Sequence, residues 1–139
     1  MKNLLPVLFS IVILLVLSVS GCKNDSLVVQ TNASNNSTVI TNKPNSFSFV
    51  VDASLYYYSE ALQLQFNADT MAVAMTISGY SSGSGSLIIK DSSDTAIYQK
   101  DLGSNIVSSD VIRITDVPKT IDLTLKNYSG KIVIAVTGK

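Results

Sequence analysis

From Ser46 onward, hydrophobic and polar residues alternate. Leu62, Leu64 and Phe66 alternate with Gln63, Gln65 and Asn67, and Met71, Val73, Met75 and Ile77 alternate with Ala72, Ala74, Thr76 and Ser78. Ile121, Leu123 and Leu125 repeat the pattern against Asp122, Thr124 and Lys126. A period of two places successive side chains on opposite faces of a strand rather than along one stripe of a helix, so each segment predicts a strand with one buried face. Ile132 to Val136 is nearly continuous in apolar residues, which predicts a central strand. Further strands are expected at 47–58, 86–90, 95–100 and 111–115, with breaks at 79–85, 91–94, 103–105 and 127–130. About eight short strands at this spacing, with no amphipathic helix between them, predict an all-β antiparallel sandwich.

The expected topology is immunoglobulin-like or jelly-roll. The stretch from Gly85 to Tyr98, a strand, an aspartate-rich turn and a second strand, resembles hairpins of secreted bacterial sandwiches. Ahead of the domain the composition changes twice. Lys2 followed by the apolar run Leu4 to Val19 has the order of an export signal, a positive n-region and then an apolar h-region, and the run is short of the roughly 20 apolar residues that span a bilayer. Residues 23–45 are rich in Asn, Ser and Thr and read as a flexible tether holding the domain roughly 25 to 30 Å from its attachment point. Leu27 to Val29 and Val39 to Ile40 are the exceptions, each long enough to dock as a short edge strand. The expected division is a signal helix over 1–21, the disordered tether over 22–45 and the sandwich over 46–139.

Val19-Ser20-Gly21-Cys22, which closes the apolar run, resembles a bacterial lipobox. The resemblance implies that the chain is cleaved between Gly21 and Cys22 and that Cys22, the single cysteine, carries diacylglycerol and fatty acid such as palmitate. Two or three acyl chains on one residue, at about 0.8 kcal/mol per buried methylene, anchor a protein stably where one chain does not. The implied partner is therefore the lipid bilayer, and the implied location the cell envelope. Lys23 stands where an aspartate resembles an inner-membrane retention signal, so in a Gram-negative cell the resemblance implies the outer membrane, and otherwise the outer face of the plasma membrane.

Without the predicted signal, ten acidic and nine basic residues remain, a formal charge near minus one. The only arginine is Arg113 and the lysines are scattered, so no basic stripe supports nucleic-acid binding. The chain has no histidine, which removes the usual acid-base group at neutral pH, and its cysteine is assigned to lipid. Ser20 and Lys23 have the spacing of a Ser-x-x-Lys pair but straddle the cleavage point, and Glu60 is the only glutamate. A non-enzyme without a cofactor is expected.

Two groups of residues are candidates for binding. Asp91 and Asp94 bracket one turn, where sandwich loops can collect oxygens around Ca²⁺; aspartate also forms turns by bonding its own backbone, which explains both positions without metal. Tyr56-Tyr57-Tyr58 must place Tyr56 and Tyr58 on one face of a strand, and with Tyr80 in the glycine-serine segment 79–85 they are the candidate rings for stacking on a sugar. Cross-strand aromatic packing is the competing account of the same residues. The expected role is an interaction or structural module of the envelope. The alternatives are a carbohydrate-binding module with a tyrosine face and an accessory subunit of a larger envelope enzyme or transporter, so the expected partner is an envelope protein or polysaccharide.

Overall fold

The computed structural model describes residues 26–32 and 36–139. The signal helix, the lipobox and Cys22 lie outside these residues. Among the described residues seven strands form one antiparallel sheet: β1 (Ser26–Asn32), β2 (Asn36–Lys43), β3 (Ser46–Gln63), β4 (Thr70–Lys90), β5 (Ala96–Asp101), β6 (Ile106–Arg113) and β7 (Thr120–Gly138). The order is β1-β2-β3-β7-β4-β5, with β6 also paired to β4.

Three strands are far longer than the expected segments, because expected strand pairs are continuous through expected breaks. β3, β4 and β7 hold 18, 21 and 19 residues. At about 3.4 Å per residue β3 alone would reach about 60 Å if straight. It is not straight. Asn42 lies opposite Phe47 near the start of β3, yet its Nδ2 donates to the carbonyl of Gln63, the last residue of β3, at 2.6 Å. Asn45 N likewise donates to Gln65 O at 2.9 Å, and the Phe49 and Tyr58 rings meet at 5.3 Å. The sheet therefore folds over on itself, and its two halves become the layers of a sandwich. One layer contains β1, β2, β6 and the adjoining parts of β3, β4 and β7; the other contains β5 and the remaining parts of the same three strands.

The bend needs backbone that ordinary strands do not supply. Register shifts occur in β3 between Ala53 and Tyr58 and in β4 between Ser78 and Ser84. Positive φ occurs at Leu55, Gly79, Gly83, Asn127 and Gly130 within those stretches and the facing part of β7. Glycine is required at Gly83, where a Cβ would lie 2.6 Å from the Lys126 carbonyl oxygen and still closer to the Asn127 carbonyl. Segments 79–85 and 127–130, expected as loops, are thus the bulged corners of continuous strands.

The core is the alternation made physical. Phe47, Phe49 and Val51 from β3, Met71, Val73, Met75, Ile77, Leu87 and Ile89 from β4, and Ile121, Leu123, Leu125, Ile132, Ile134 and Val136 from β7 are buried in one cluster. Burial of such side chains contributes about 1.5 to 3 kcal/mol each. β7 lies between β3 and β4, as its apolar run predicts.

The expected tether needs correction: residues 26–32 and 36–43 are strands of the sheet, not disordered chain. Asn36, Thr38 and Ile40 point inward and are buried, while Ser37 faces out, so β2 has the same period of two. Polarity masked it. Asn36 is accommodated because its amide bonds both the N–H and the carbonyl of Ser54 at 2.6 and 3.3 Å, and Thr38 Oγ1 donates to the Tyr56 hydroxyl at 3.1 Å. Buried polar groups are tolerated when paired in this way.

Candidate functional site

The bend of the sheet brings small and polar residues together. Ser54 from β3, Ser78, Gly79 and Ser81 from β4, and Ser129 and Gly130 from β7 border an open groove of about 460 Å³. Three of them are there for a local reason. Gly79 and Gly130 take positive φ, and a side chain on Gly130 would press on Tyr80 Cα at 3.0 Å. Ser129 Oγ accepts from Leu55 N at 2.9 Å, satisfying an N–H freed by the bulge. The only titratable side chains in the lining are Asp52 and Lys131, directly opposite each other on β3 and β7, with Ser78 opposite Lys131 on β4. The groove thus offers hydroxyls, a carboxylate and an ammonium. These groups can hydrogen-bond a polar ligand.

The candidate tyrosines are placed differently from expectation. Tyr56 and Tyr58 are 4% and 5% exposed, so the face they share is the core face, and neither can stack on a sugar. Their rings stack at 6.2 Å, and burial together with the nearby Glu60 carboxylate, which accepts from the Tyr58 hydroxyl at 3.4 Å, pushes the Tyr58 phenol up from its ordinary value. The solvent-facing ring of the three is Tyr57. Period two fixed which tyrosines share a face but not which face is buried. Tyr80 is half-buried, packs against Tyr128 at 5.6 Å and donates its hydroxyl to Gly83 O at 2.7 Å, while Asn105 Oδ1 accepts from its N–H at 2.9 Å. It is a brace of the bend; its neighbours Gly79 and Ser81 border the groove.

Tyr128, fully buried, completes this brace by donating to the Leu102 carbonyl at 2.9 Å. Burial, then the neighbouring Tyr80 and Asp101, pushes its phenol up to about 12. Tyr98 is raised too, by burial and by its hydrogen bond to Asp110 at 2.8 Å.

Asp91 and Asp94 border a second groove of about 320 Å³ with Lys119. Asp91 is buried, and its Oδ1 accepts from Ser93 N at 2.8 Å and Thr95 N at 2.9 Å, an aspartate-capped turn. Asp94 is held by Lys90 Nζ at 3.0 Å, and the same ammonium reaches Asp122 at 2.9 Å. Hydrogen bonds to Asp122 and then Asp94 raise the Lys90 pKa, and the Asp94 carboxylate thus already has a cation beside it. Among the described residues no three His, Cys, Asp or Glu side chains gather into a metal-sized cluster.

The groove-lining Asp52, Lys131 and serines were missed in the sequence because Asp52 and Ser54 fall inside the strand expected over 47–58 and the others in or beside the breaks expected at 79–85 and 127–130. Their signal was the coincidence of Ser and Gly at 78–79, 81 and 129–130, which becomes one site only once the strands bend together.

No protein-family model and no curated protein matches the chain. Among solved structures, it is similar to a chain from Bacillus endospore appendages, described as a novel family of disulfide-linked pili, at 11% identity and TM-score 0.43 over 87% of this chain and 96% of that one. It is also similar to a family 29 carbohydrate-binding module, at 11% identity and TM-score 0.33 over 86% of each chain. Both likenesses concern β-rich architecture alone.

Proposed function

We propose that the chain is a lipoprotein of the bacterial envelope, held by an acylated Cys22, whose β-sandwich is a non-catalytic interaction or structural module. The observation that carries this reading is Val19-Ser20-Gly21-Cys22 at the end of an apolar run of signal length. The bend groove is consistent with a module that binds rather than reacts. The position of β1 sharpens the reading. Only Lys23, Asn24 and Asp25 separate Cys22 from Ser26, and four residue steps reach at most about 14 Å, so the folded domain would lie close against the bilayer surface instead of on a long tether.

Intact mass and membrane fractionation of the wild type and Cys22→Ala test the anchor. Acyl mass and membrane retention in the wild type, both lost in the variant, support the reading. Two soluble, unacylated proteins would refute it.

A second reading, polysaccharide binding, is favoured by the groove rather than by the tyrosine face: Ser54, Ser78, Ser81 and Ser129 with Asp52 and Lys131 match the hydrogen-bonding chemistry of sugar hydroxyls. Binding on a glycan array that is lost in Asp52→Ala with Lys131→Ala would support it, and an array without signal removes it. The accessory-subunit reading is separated from both by capture from crosslinked envelopes, where a stoichiometric partner enzyme or transporter would appear.

A further inference from the structure

The outer face of the layer containing β2 and β6 carries a row of β-branched residues in direct register. Val39 lies opposite Val50, Val50 opposite Val133, Val133 opposite Thr76 and Thr76 opposite Val107. The row ends on β6, which among the described residues pairs only with β4 and leaves its other edge open. On that edge strand Val107 is 83% and Val111 68% exposed, two residues either side of Ser109. Edge strands are normally protected by lysine, proline or bulges. β6 has no lysine, proline or bulge, and its charges are Asp110 on the inner face and Arg113 at its last residue, whereas β5, on the same side of β4 in the other layer, carries Lys100 and Asp101. A second feature lies on the inner face of β6. Ser108 Oγ is buried and has no hydrogen-bond partner, which leaves a polar group uncompensated.

We infer that β6 is a self-pairing edge, and that a second copy of this chain docks on it antiparallel across a two-fold axis at Ser109. The choice of occupant rests on register. In an antiparallel pair, residues directly opposite lie on the same face, and in a two-fold pair a register that keeps inward residues opposite inward ones is centred on a residue. Centring on Asp110 sets two carboxylates opposite each other, which is destabilising. Centring on Ser108 leaves Val107 against Ser109 and Val111 beyond the facing strand. Centring on Ser109 sets Val107 against Val111 of the partner twice over, closing four exposed valines into one patch. It also sets Ser108 opposite Asp110 of the partner, supplying the orphan hydroxyl with an acceptor. Asp110 Oδ2 already takes Tyr98 and Lys100, leaving Oδ1 for that bond. The register thus pairs what one copy leaves unpaired, and an isologous contact of this kind closes as a dimer. The inference does not depend on the lipid anchor.

Cysteine crosslinking of the full chain in the cells that express it tests the register. Opposite residues in an antiparallel pair have Cα atoms about 4.5 or 5.5 Å apart, within disulfide reach, whereas residue 107 and its own symmetry mate would be about 14 Å apart. Under mild oxidation Ser109→Cys is expected to shift to twice the monomer mass on a non-reducing gel. Val107→Cys alone should stay at the wild-type baseline, set by Cys22, and Val107→Cys co-expressed with Val111→Cys should link. Adding Val111→Lys to Ser109→Cys should abolish the shift. All these positions, the axis included, tolerate change because they are solvent-facing in the monomer, and an unchanged thermal melt checks the fold of each variant. Equal linking at 107 and 109, no linking at 109, or a 109 adduct whose mass is that of another protein would each overturn the inference.

Discussion

Replacing Tyr128 with phenylalanine removes one oxygen from the centre of the bend and leaves the ring in place. Tyr128 is fully buried and its hydroxyl donates to the Leu102 carbonyl at 2.9 Å; Leu102 is itself fully buried. Without the donor, that carbonyl loses its side-chain partner away from water, a cost of about 1 to 3 kcal/mol at neutral pH. The same substitution has the opposite consequence in alkali. The folded phenol is pushed up to about 12 from the ordinary value near 10, because burial opposes its charged form. A raised folded pKa means the native state holds its proton after the unfolded chain has lost it. The stabilisation is therefore complete below about pH 10 and is lost as pH rises through about 12, amounting to about 3 kcal/mol from this residue. Tyr128→Phe has no such proton to lose. Urea unfolding of both proteins at pH 7, 9, 10, 11 and 12 should show the variant less stable at pH 7 and the gap closing between pH 10 and 12. Tyr58 and Tyr98, also raised, add slope to both proteins equally and cancel in the difference. A gap that stays constant from pH 7 to 12 would refute the buried-donor argument, as would equal stability at pH 7.

Two further perturbations address the bend and the aspartate turn. Gly79 and Gly83 both have positive φ, but a Cβ at Gly79 meets nothing within 4 Å while one at Gly83 enters the Lys126 and Asn127 backbone; Gly79→Ala should cost about 1 to 2 kcal/mol and Gly83→Ala clearly more in thermal melts, and equal losses would contradict the close approach of β4 and β7. Asp91→Ala should cost about 1 to 2 kcal/mol by freeing the Ser93 and Thr95 N–H groups, and the loss should be the same with and without millimolar calcium in calorimetry; stabilisation of the wild type alone by calcium would restore the metal reading.

The strands were legible because alternation is a local property. Met71 to Ile77 and Ile121 to Leu125 are buried as the period of two requires, and the central place of β7 follows from its apolar run. What was not legible depends on contacts far apart in sequence. Nothing near Asn36 or Thr38 marks them as buried; their partners, Ser54 and Tyr56, lie 18 residues away. Nothing near Gly83 distinguishes a loop from a bulged corner, since the difference lies in whether Asn127 passes beside it. The same holds for the groove, whose acid and base, Asp52 and Lys131, become neighbours only through the pairing of β3 with β7. For the tyrosines the local pattern was ambiguous in principle, because a period fixes relative faces and leaves open which is turned to the core.

The strand order has a consequence for how the chain reaches its folded state. β7 pairs along its length with both β3 and β4, so Ser46 meets Thr137 and Met71 meets Gly138. Until residues 120–138 are available, β3 and β4 lack the strand that joins them, and the cluster of Ile121, Leu123, Leu125, Ile132, Ile134 and Val136 is missing from the middle of the core. Only the hairpins β1-β2, β2-β3 and β4-β5 are local, and isolated hairpins are marginal in water. This pairing predicts folding that waits for residues 120–138 and then closes long loops, slow and cooperative. On the lipoprotein reading that delay would be useful, because a core that cannot assemble without residues 120–138 would keep the domain unfolded during export.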